Sequence, residues 1–93
     1  MSVPGSGQTF SLSVISPERK LFEGPAQFVV VPAFDGEIGI LRDHAPLMAL
    51  LGEGALRIET ESGAHNFHVS GGFVQVVDNV VSVLSEEAVP VDG

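Results

Sequence analysis

Four ionisable side chains lie within eight positions of one another in the stretch GEIGILRDHAPL, residues 36–47: Glu37, Arg42, Asp43 and His44. Carboxylate, guanidinium and imidazole groups at this spacing could serve acid–base chemistry. A catalytic site would also need a nucleophile, a metal or an oxyanion donor, and the neighbouring residues supply none of these. The same stretch leads into the apolar run APLM, which a monomer would prefer to bury. Two interpretations remain: a solvated polar loop, or the edge of a surface that binds a partner.

Two other motifs could carry chemistry, and their surroundings argue against both. His65 and His68 form an H-x-x-H pair, but the alternation around them predicts a strand, in which residues three apart point to opposite faces. We therefore expect no shared metal ion. Ser70 precedes Gly71 and Gly72, yet HVSGGF does not match the G-x-S-x-G elbow and runs into another strand pattern. We expect these glycines to mark a bulge or a close approach of backbone.

Composition excludes several classes of partner. The 93-residue chain is 44% hydrophobic, carries a formal net charge of −8 and has only four basic residues, Arg19, Lys20, Arg42 and Arg57. With no Trp and no Tyr, it lacks both the positive charge and most of the stacking surface that nucleic acid requires. Anionic lipid would repel it, so we expect no direct lipid insertion. A partner with an exposed basic surface fits better.

Targeting and redox features are absent from the sequence. There is no cysteine, which removes disulfides and thiolate sites. The start, MSVPGSGQTF, has neither the basic nor the apolar region of a secretory signal, and no apolar run approaches the roughly 18 residues of a membrane span. Phosphate-binding loops of the G-x-x-x-x-G-K-[ST] and G-x-G-x-x-G types are also missing. We expect a soluble cytosolic domain with no cofactor.

Hydrophobic periodicity predicts strands along almost the whole chain. Phe10, Leu12 and Val14 alternate with outward residues until Pro17. SPERKLFEG is then predicted to be a connection, AQFVVV a strand ended by Pro32, and EIGIL, APLMALL, ALRIET, AHNFHV, FVQVV, VVSVLS and AVPV further strands. About nine short strands at a spacing of roughly 8–12 residues predict an all-β sandwich or barrel. We expect a flexible tail over residues 1–9 and one flattened sandwich of nine to ten short strands over residues 10–91.

A small β domain could instead be a cofactor carrier, with a lysine at a hairpin tip for covalent attachment. The single lysine, Lys20, is followed by the apolar pair Leu21 and Phe22, which indicates a buried anchor instead of an exposed tip. The carrier remains the alternative to a binding or structural subunit.

Four segments carry a family resemblance. SPERKLFEG, GEIGILRDHAPL, VSGGFVQV and VLSEEA, in this order, resemble the N-terminal β-sandwich of the epsilon subunit of rotary proton-translocating ATP synthases. The resemblance extends from about Leu12 to Ala88. It implies a non-catalytic rotor subunit that contacts the gamma subunit and the ring of c subunits, so that proton-driven rotation is coupled to ATP synthesis. It also implies a peripheral position on the cytoplasmic face of a bacterial inner membrane, within the complex.

The resemblance also implies roles for particular residues. The loop G-E-x-G, whose glutamate faces the polar loops of the c subunits, corresponds to Gly36, Glu37 and Gly39, and we expect Glu37 at the exposed tip of a tight turn. The expected c-ring contacts are Asp35, Gly36 and Glu37. The expected gamma contacts are Ser16, Leu41, His44, Ala45, Pro46, Leu47 and Met48. Leu41, Leu47 and Met48 would form the apolar centre of the interface, and Glu37 and Asp43 its charged rim. No catalytic, cofactor-binding or metal-binding residue is expected.

Two departures from the family pattern bear on these roles. A glycine usually precedes the histidine of H-A-P-L, and here Asp43 does, after Arg42. Full-length relatives also continue into a C-terminal helical hairpin that can inhibit ATP hydrolysis and in some members binds ATP, whereas this sequence ends at Gly93. We therefore assign neither inhibition nor ATP binding to the domain.

Overall fold

Residues 9–91 form eight β-strands in the computed structural model, and no residue in that range is helical. The strands are β1 (Phe10–Ile15), β2 (Lys20–Ala26), β3 (Phe28–Ala33), β4 (Gly36–Ile40), β5 (Leu47–Leu50), β6 (Glu53–Thr60), β7 (Gly63–Val77) and β8 (Val80–Val91). The predicted tail lies outside the described residues apart from Thr9. Within residues 9–91, no helix is long and apolar enough to span a membrane.

The strand pairings divide the sheet into two layers that share β7 and β8. The hydrogen-bonded order is β2-β1-β8-β7-β6-β3-β4, and β5 pairs separately with β7. β1 pairs with the segment Val80–Leu84 of β8, and β5 pairs with the segment Phe73–Val76 of β7. Together with β2, these strands form the first layer. β6 pairs with the earlier segment Gly63–Ser70 of β7, which builds the second layer together with β3, β4 and the end of β8. The predicted all-β sandwich is confirmed.

The nine strands listed above become eight because two pairs of them merge and one further strand, β2, forms in the predicted connection. AHNFHV and FVQVV form the single 15-residue strand β7, and VVSVLS and AVPV form the 12-residue strand β8. The pairing of β7 with β8 keeps one register, from the pair of Asn66 with Val91 to the pair of Val77 with Val80. The glycines therefore mark no bulge. They mark a close approach instead: Gly72 has φ 105°, and a Cβ there would collide with the carbonyl oxygen of Leu84.

Two predicted strand boundaries are wrong for identifiable reasons. SPERKLFEG is a connection only over residues 16–19, because Lys20–Ala26 pairs with β1 from Ile15 to Phe10 as an edge strand, where Pro25 is tolerated. β3 does not end at Pro32 but continues to Ala33. Pro32 lies beyond the last β3–β6 pair, so its missing N–H leaves no ladder bond unmade.

The core lies between the layers and follows the predicted period of two. Buried side chains from both layers form one cluster, in which Val14, Val29, Leu56, Val74 and Val83 are completely inaccessible to solvent. Their immediate neighbours along each strand point outward, as the alternation predicts. Burial at this density holds the layers together, since each fully buried aliphatic side chain contributes roughly 1.5–3 kcal/mol.

Candidate partner-binding surface

The β3–β4 turn projects an aromatic ring flanked by carboxylates. Ala33 pairs with Gly36, so Phe34 and Asp35 are the two turn residues, and Gly36 has φ 150°. Phe34 is 81% exposed, the highest value among the large apolar side chains of residues 9–91. Glu37 was expected at the tip of the turn, but it lies in β4, opposite Pro32. Its side chain is in solvent. The turn therefore presents an apolar centre that the sequence did not reveal.

The loop between β4 and β5, residues 41–46, presents most of the expected gamma contacts. Leu41 is 58% exposed, and its carbonyl oxygen accepts a 3.2 Å hydrogen bond from the amide of His44. His44 Nδ1 lies 2.7 Å from the carbonyl oxygen of Ala45. Ala45 and Pro46 are exposed. The imidazole is thus part of the hydrogen bonding of its own loop.

Asp43 shows how the loop replaces the glycine of the family pattern. Its φ is 67°, in the left-handed region that usually costs a non-glycine residue about 1–2 kcal/mol. Aspartate and asparagine are the residues that tolerate this region best. The amide of Asp43 donates a 2.6 Å hydrogen bond to Asn79 Oδ1, and Asn79 Nδ2 donates one of 3.0 Å to Asp43 Oδ1. This reciprocal pair joins the loop to the β7–β8 turn.

β5 separates the expected apolar contacts into inner and outer ones. Leu47 is half-buried and packs against the core, and Ala49 does the same two positions on. Met48 and Leu50, on the opposite face, are 65% and 67% exposed. The outward side chains available to a partner are therefore Met48 and Leu50, whereas Leu47 serves the fold.

A continuous apolar row crosses the outer face of the first layer. Leu50 is paired with Phe73, Phe73 with Leu84, and Leu84 with Ile15. Phe34 extends the row beyond β5, because its amide donates a 3.0 Å hydrogen bond to the carbonyl oxygen of Leu50. We call these five residues the outer strip. Adjacent strands are about 4.8 Å apart, so the strip is roughly 19 Å long.

Polar residues border the outer strip on one side. The next cross-strand row contains Gln75, Ser82 and Ser13, with Met48 at its β5 end. An apolar row beside a polar one is the pattern of an interface centre and its rim. Period-two alternation alone does not predict this surface. The sequence does carry one signal for it, because Ile15 and Leu84 are apolar residues at outward positions of their strands.

Ser16 lies far from the 41–46 loop. It follows β1 and forms a closed turn with Arg19: the amide of Ser16 donates to the carbonyl oxygen of Arg19 at 2.9 Å, and the amide of Arg19 donates to the carbonyl oxygen of Ser16 at 3.3 Å. The loop is attached at the other end of β1, where the amide of Ser11 donates to the carbonyl oxygen of Asn79. Ser16 lies five positions beyond Ser11 along the strand, a span of roughly 16 Å. The structure therefore does not cluster Ser16 with the loop, although the outer face of the first layer connects them.

Carboxylates surround the end of the outer strip near Ser16. A cleft of about 450 Å³ is lined there by Glu18, Glu53, Glu86 and Glu87, together with His68. His68 Nε2 lies 3.7 Å from Glu53 Oε2. This acidic border favours a partner with basic side chains around an apolar patch.

The remaining sequence candidates have separate surroundings. His65 contacts the ring of Phe22 with centroids 5.4 Å apart, while His68 faces Glu53, so the two histidines point to opposite faces as expected. No group of three potential metal ligands occurs within residues 9–91. Lys20 Nζ makes a 2.7 Å ion pair with Glu23. That lysine begins an edge strand, and both charged side chains remain half exposed.

The fold and the four sequence motifs agree with one protein family. Residues 9–91 match the family described as the β-sandwich domain of the ATP synthase delta/epsilon chain. The chain belongs to this family. The ATP synthase epsilon chain of Rhodopirellula baltica is 49% identical over 79 residues, which are 85% of this chain and 62% of that one. The epsilon chain of Syntrophomonas wolfei is 47% identical over 81 residues, or 86% and 59% of the two chains.

Solved structures give the same answer for the fold. A chain in the Euglena gracilis mitochondrial ATP synthase, in the OSCP/F1/c-ring structure of rotational state 1, matches with a TM-score of 0.80 at 30% identity, covering 97% of this chain and 56% of that one. A chain in the central stalk/c-ring structure from Tetrahymena thermophila matches at 0.74 and 15% identity, over 85% of this chain and 64% of that one, which shows a likeness of fold alone. The chain spans about three fifths of the length of the curated relatives that it matches.

Proposed function

We propose that this chain is a non-catalytic rotor subunit of a rotary ATP synthase. It contacts the gamma subunit and the ring of c subunits, and through them couples proton-driven rotation to ATP synthesis. Membership of the delta/epsilon family supports the assignment, as do relatives that are epsilon chains. Its place is peripheral, on the cytoplasmic face of a bacterial inner membrane as part of the complex.

The outer strip is the observation that carries the contact with gamma. A rotor transmits torque through a firm non-covalent interface, and such an interface has a dry apolar centre with a polar rim. Leu50 and Leu84 provide exposed apolar area at the middle of the strip, at 67% and 38% exposure. Met48 and Leu41 add outward apolar side chains on the side of the 41–46 loop. The expected gamma contacts at His44, Ala45 and Pro46 border this area.

The β3–β4 turn is the proposed contact with the c ring. Asp35 and Glu37 give it two exposed carboxylates, and Phe34 gives it an apolar tip. Gly36 allows the sharp reversal between them, since its φ of 150° suits glycine. Because Phe34 is also the end of the outer strip, the two proposed contacts are continuous.

The ionisable cluster of residues 36–47 is best explained as part of these contacts. Glu37 lies in β4, whereas Asp43 is bonded to Asn79 and His44 to its own loop. The groups therefore do not converge on one reacting atom, which acid–base catalysis requires. A rim of charge around apolar side chains accounts for the same residues.

Reconstitution tests the function directly. Purified chain added to an ATP synthase depleted of its epsilon subunit, in inverted membrane vesicles, should restore ATP-driven proton pumping. A Leu50→Ser, Leu84→Ser double variant is the control, since it keeps the buried core but places two hydroxyls in the outer strip. Equal restoration by wild type and this variant would refute a role of the strip. No restoration by the wild type would refute the proposed function.

A further inference from the structure

We propose that Asp43 and Asn79 are positioning residues for gamma: their reciprocal hydrogen bonds hold the 41–46 loop in the shape that gamma binds. The inference rests on the proposed function, and it adds two residues that themselves need not contact the partner. Asn79 lies in the β7–β8 turn, 36 positions along the chain from Asp43.

The two residues are conformationally matched. Both have left-handed backbone, with φ 67° at Asp43 and 63° at Asn79. Two hydrogen bonds join them: the backbone amide of Asp43 donates to Asn79 Oδ1 at 2.6 Å, and Asn79 Nδ2 donates to Asp43 Oδ1 at 3.0 Å. Two bonds between the same pair fix relative orientation as well as distance.

Asn79 is itself fixed to the body of the sandwich. Its carbonyl oxygen accepts a 2.9 Å hydrogen bond from the amide of Ser11, at the start of β1. The contact with Asp43 therefore anchors the loop to two strands of the first layer, β1 and β8. The local turn bond from His44 to Leu41 shapes the loop internally, and the contact with Asn79 helps to orient it against the layer.

Orientation matters here because the loop carries several proposed contacts at once. Leu41, Ala45 and Pro46 are exposed on it, and they border the outward face of Met48. A loop held in its bound shape loses less conformational entropy on association, which lowers the dissociation constant without any added contact. The carboxylate of Asp43 also lies 3.9 Å from Arg42 Nε. The test must therefore distinguish the effect of its charge on gamma binding from the effect of its hydrogen bonds.

Four variants of the full chain make that separation. Asp43→Gly and Asn79→Gly keep the left-handed backbone accessible but remove the hydrogen-bonding side chains. Their double variant completes the cycle. Asp43→Asn removes the charge while keeping an oxygen for Asn79 and the tolerance of left-handed backbone. Asp78→Gly is the matched control, since Asp78 has φ 49° in the same β7–β8 turn.

Binding of each variant to purified gamma subunit, together with its melting temperature, tests the inference. We expect Asp43→Gly and Asn79→Gly each to raise the dissociation constant about two- to tenfold, the range of one net hydrogen bond. The double variant should lose about as much affinity as either single variant and less than their sum, because both substitutions remove the same interaction. Asp78→Gly should bind as the wild type does, and Asp43→Asn should lose clearly less affinity than Asp43→Gly, since it keeps the hydrogen bonds and removes only a rim charge.

The alternatives give different results. A lower melting temperature with unchanged gamma affinity would mean that the pair only stabilises the fold, and would overturn the inference while leaving the proposed function intact. Equal losses in Asp43→Asn and Asp43→Gly would assign the effect to charge and would also overturn it. Absence of binding by the wild type would instead overturn the proposed function, and the inference with it.

Discussion

The amide of Phe34 donates a 3.0 Å hydrogen bond to the carbonyl oxygen of Leu50, so the tip of the β3–β4 turn is fixed to the edge of β5. This bond connects the second layer to the first at the surface, because β4 pairs only with β3 and β5 only with β7. One apolar row therefore runs from the turn across the outer face. The proposed c-ring and gamma contacts meet at these two residues.

Leu50→Ser should weaken gamma binding and leave the fold intact. Leu50 is 67% exposed, so the substitution creates no core cavity, but it places a hydroxyl at the middle of the proposed interface. Loss of an apolar anchor at a hot spot costs about 2 kcal/mol or more, which is roughly a thirtyfold rise in the dissociation constant. Titration calorimetry with purified gamma measures the change.

Val91→Ser is the matched control for that substitution. Val91 is 43% exposed and pairs with Asn66, in the second layer, away from the outer strip. Gamma binding should be unaffected by it. If both variants lost affinity equally, the effect would be a general one of surface polarity and the strip would not be the contact.

Leu47→Ala and Met48→Ala should separate stability from binding. Leu47 packs against the core, so its truncation should lower the free energy of unfolding by about 2 kcal/mol, as partial cavity formation does. Met48 is 65% exposed on the other face, so its truncation should change stability by no more than about 0.5 kcal/mol and mainly weaken gamma binding.

Urea unfolding of the two variants, followed by titration with gamma, checks this assignment. The reverse result, a stable Leu47→Ala that binds poorly and a destabilised Met48→Ala that binds normally, would show that β5 presents its other face to the partner.

The fold could be predicted because burial has a simple period. Phe10, Leu12 and Val14 alternate with outward residues, and all three are buried. Boundaries were harder, since they depend on pairing partners that are distant in sequence. Lys20–Ala26 has no clear alternation and is a strand because the edge of β1 requires a neighbour. Likewise, Gly71 does not end β7, because β8 pairs with it across the glycines.

The candidate surface was only partly readable from sequence. Residues 41–48 were identifiable from their motif, but Leu47 could not be assigned to the core before β5 had a register. The outer strip depends on three separate strand pairings, which no local pattern specifies. Asp43 is similar: its left-handed backbone is accompanied by hydrogen bonds with Asn79, which lies in another hairpin and so outside any local sequence pattern.

Gly72→Ala should destabilise the fold strongly. Its φ of 105° is strained for any side chain, and a Cβ would meet the carbonyl oxygen of Leu84. We expect a loss of roughly 3 kcal/mol or more in the free energy of unfolding, because backbone strain and overpacking add. Urea denaturation of purified chain measures it.

Gly63→Ala is the control for the backbone term alone. Gly63 has φ 132°, but a Cβ there would meet no atom within 4 Å. It should lose only about 1–2 kcal/mol. Were the two substitutions equally costly, the close approach at Gly72 would contribute nothing, and the tight junction of β7 and β8 would need another explanation.

Glu37→Lys should weaken binding to the c ring modestly and flatten its salt dependence. Glu37 is an exposed carboxylate in β4, two positions beyond the Asp35 tip. Rim charges typically contribute about 0.2–1 kcal/mol and act mainly on the association rate. Association rates with detergent-solubilised c ring, measured at two salt concentrations, should fall two- to fivefold at low salt, an order-of-magnitude range set by that energy.

Glu61→Lys separates position from net charge in this experiment. It changes the total charge by the same amount, but Glu61 lies in the β6–β7 turn at the far end of the second layer. Only Glu37→Lys should therefore alter the salt slope of ring binding, because electrostatic attraction between exposed charges is screened beyond about 10 Å at 0.1 M salt. Identical slopes for both variants would mean that overall charge steers the encounter. An unchanged slope for Glu37→Lys would remove Glu37 from the c-ring contact.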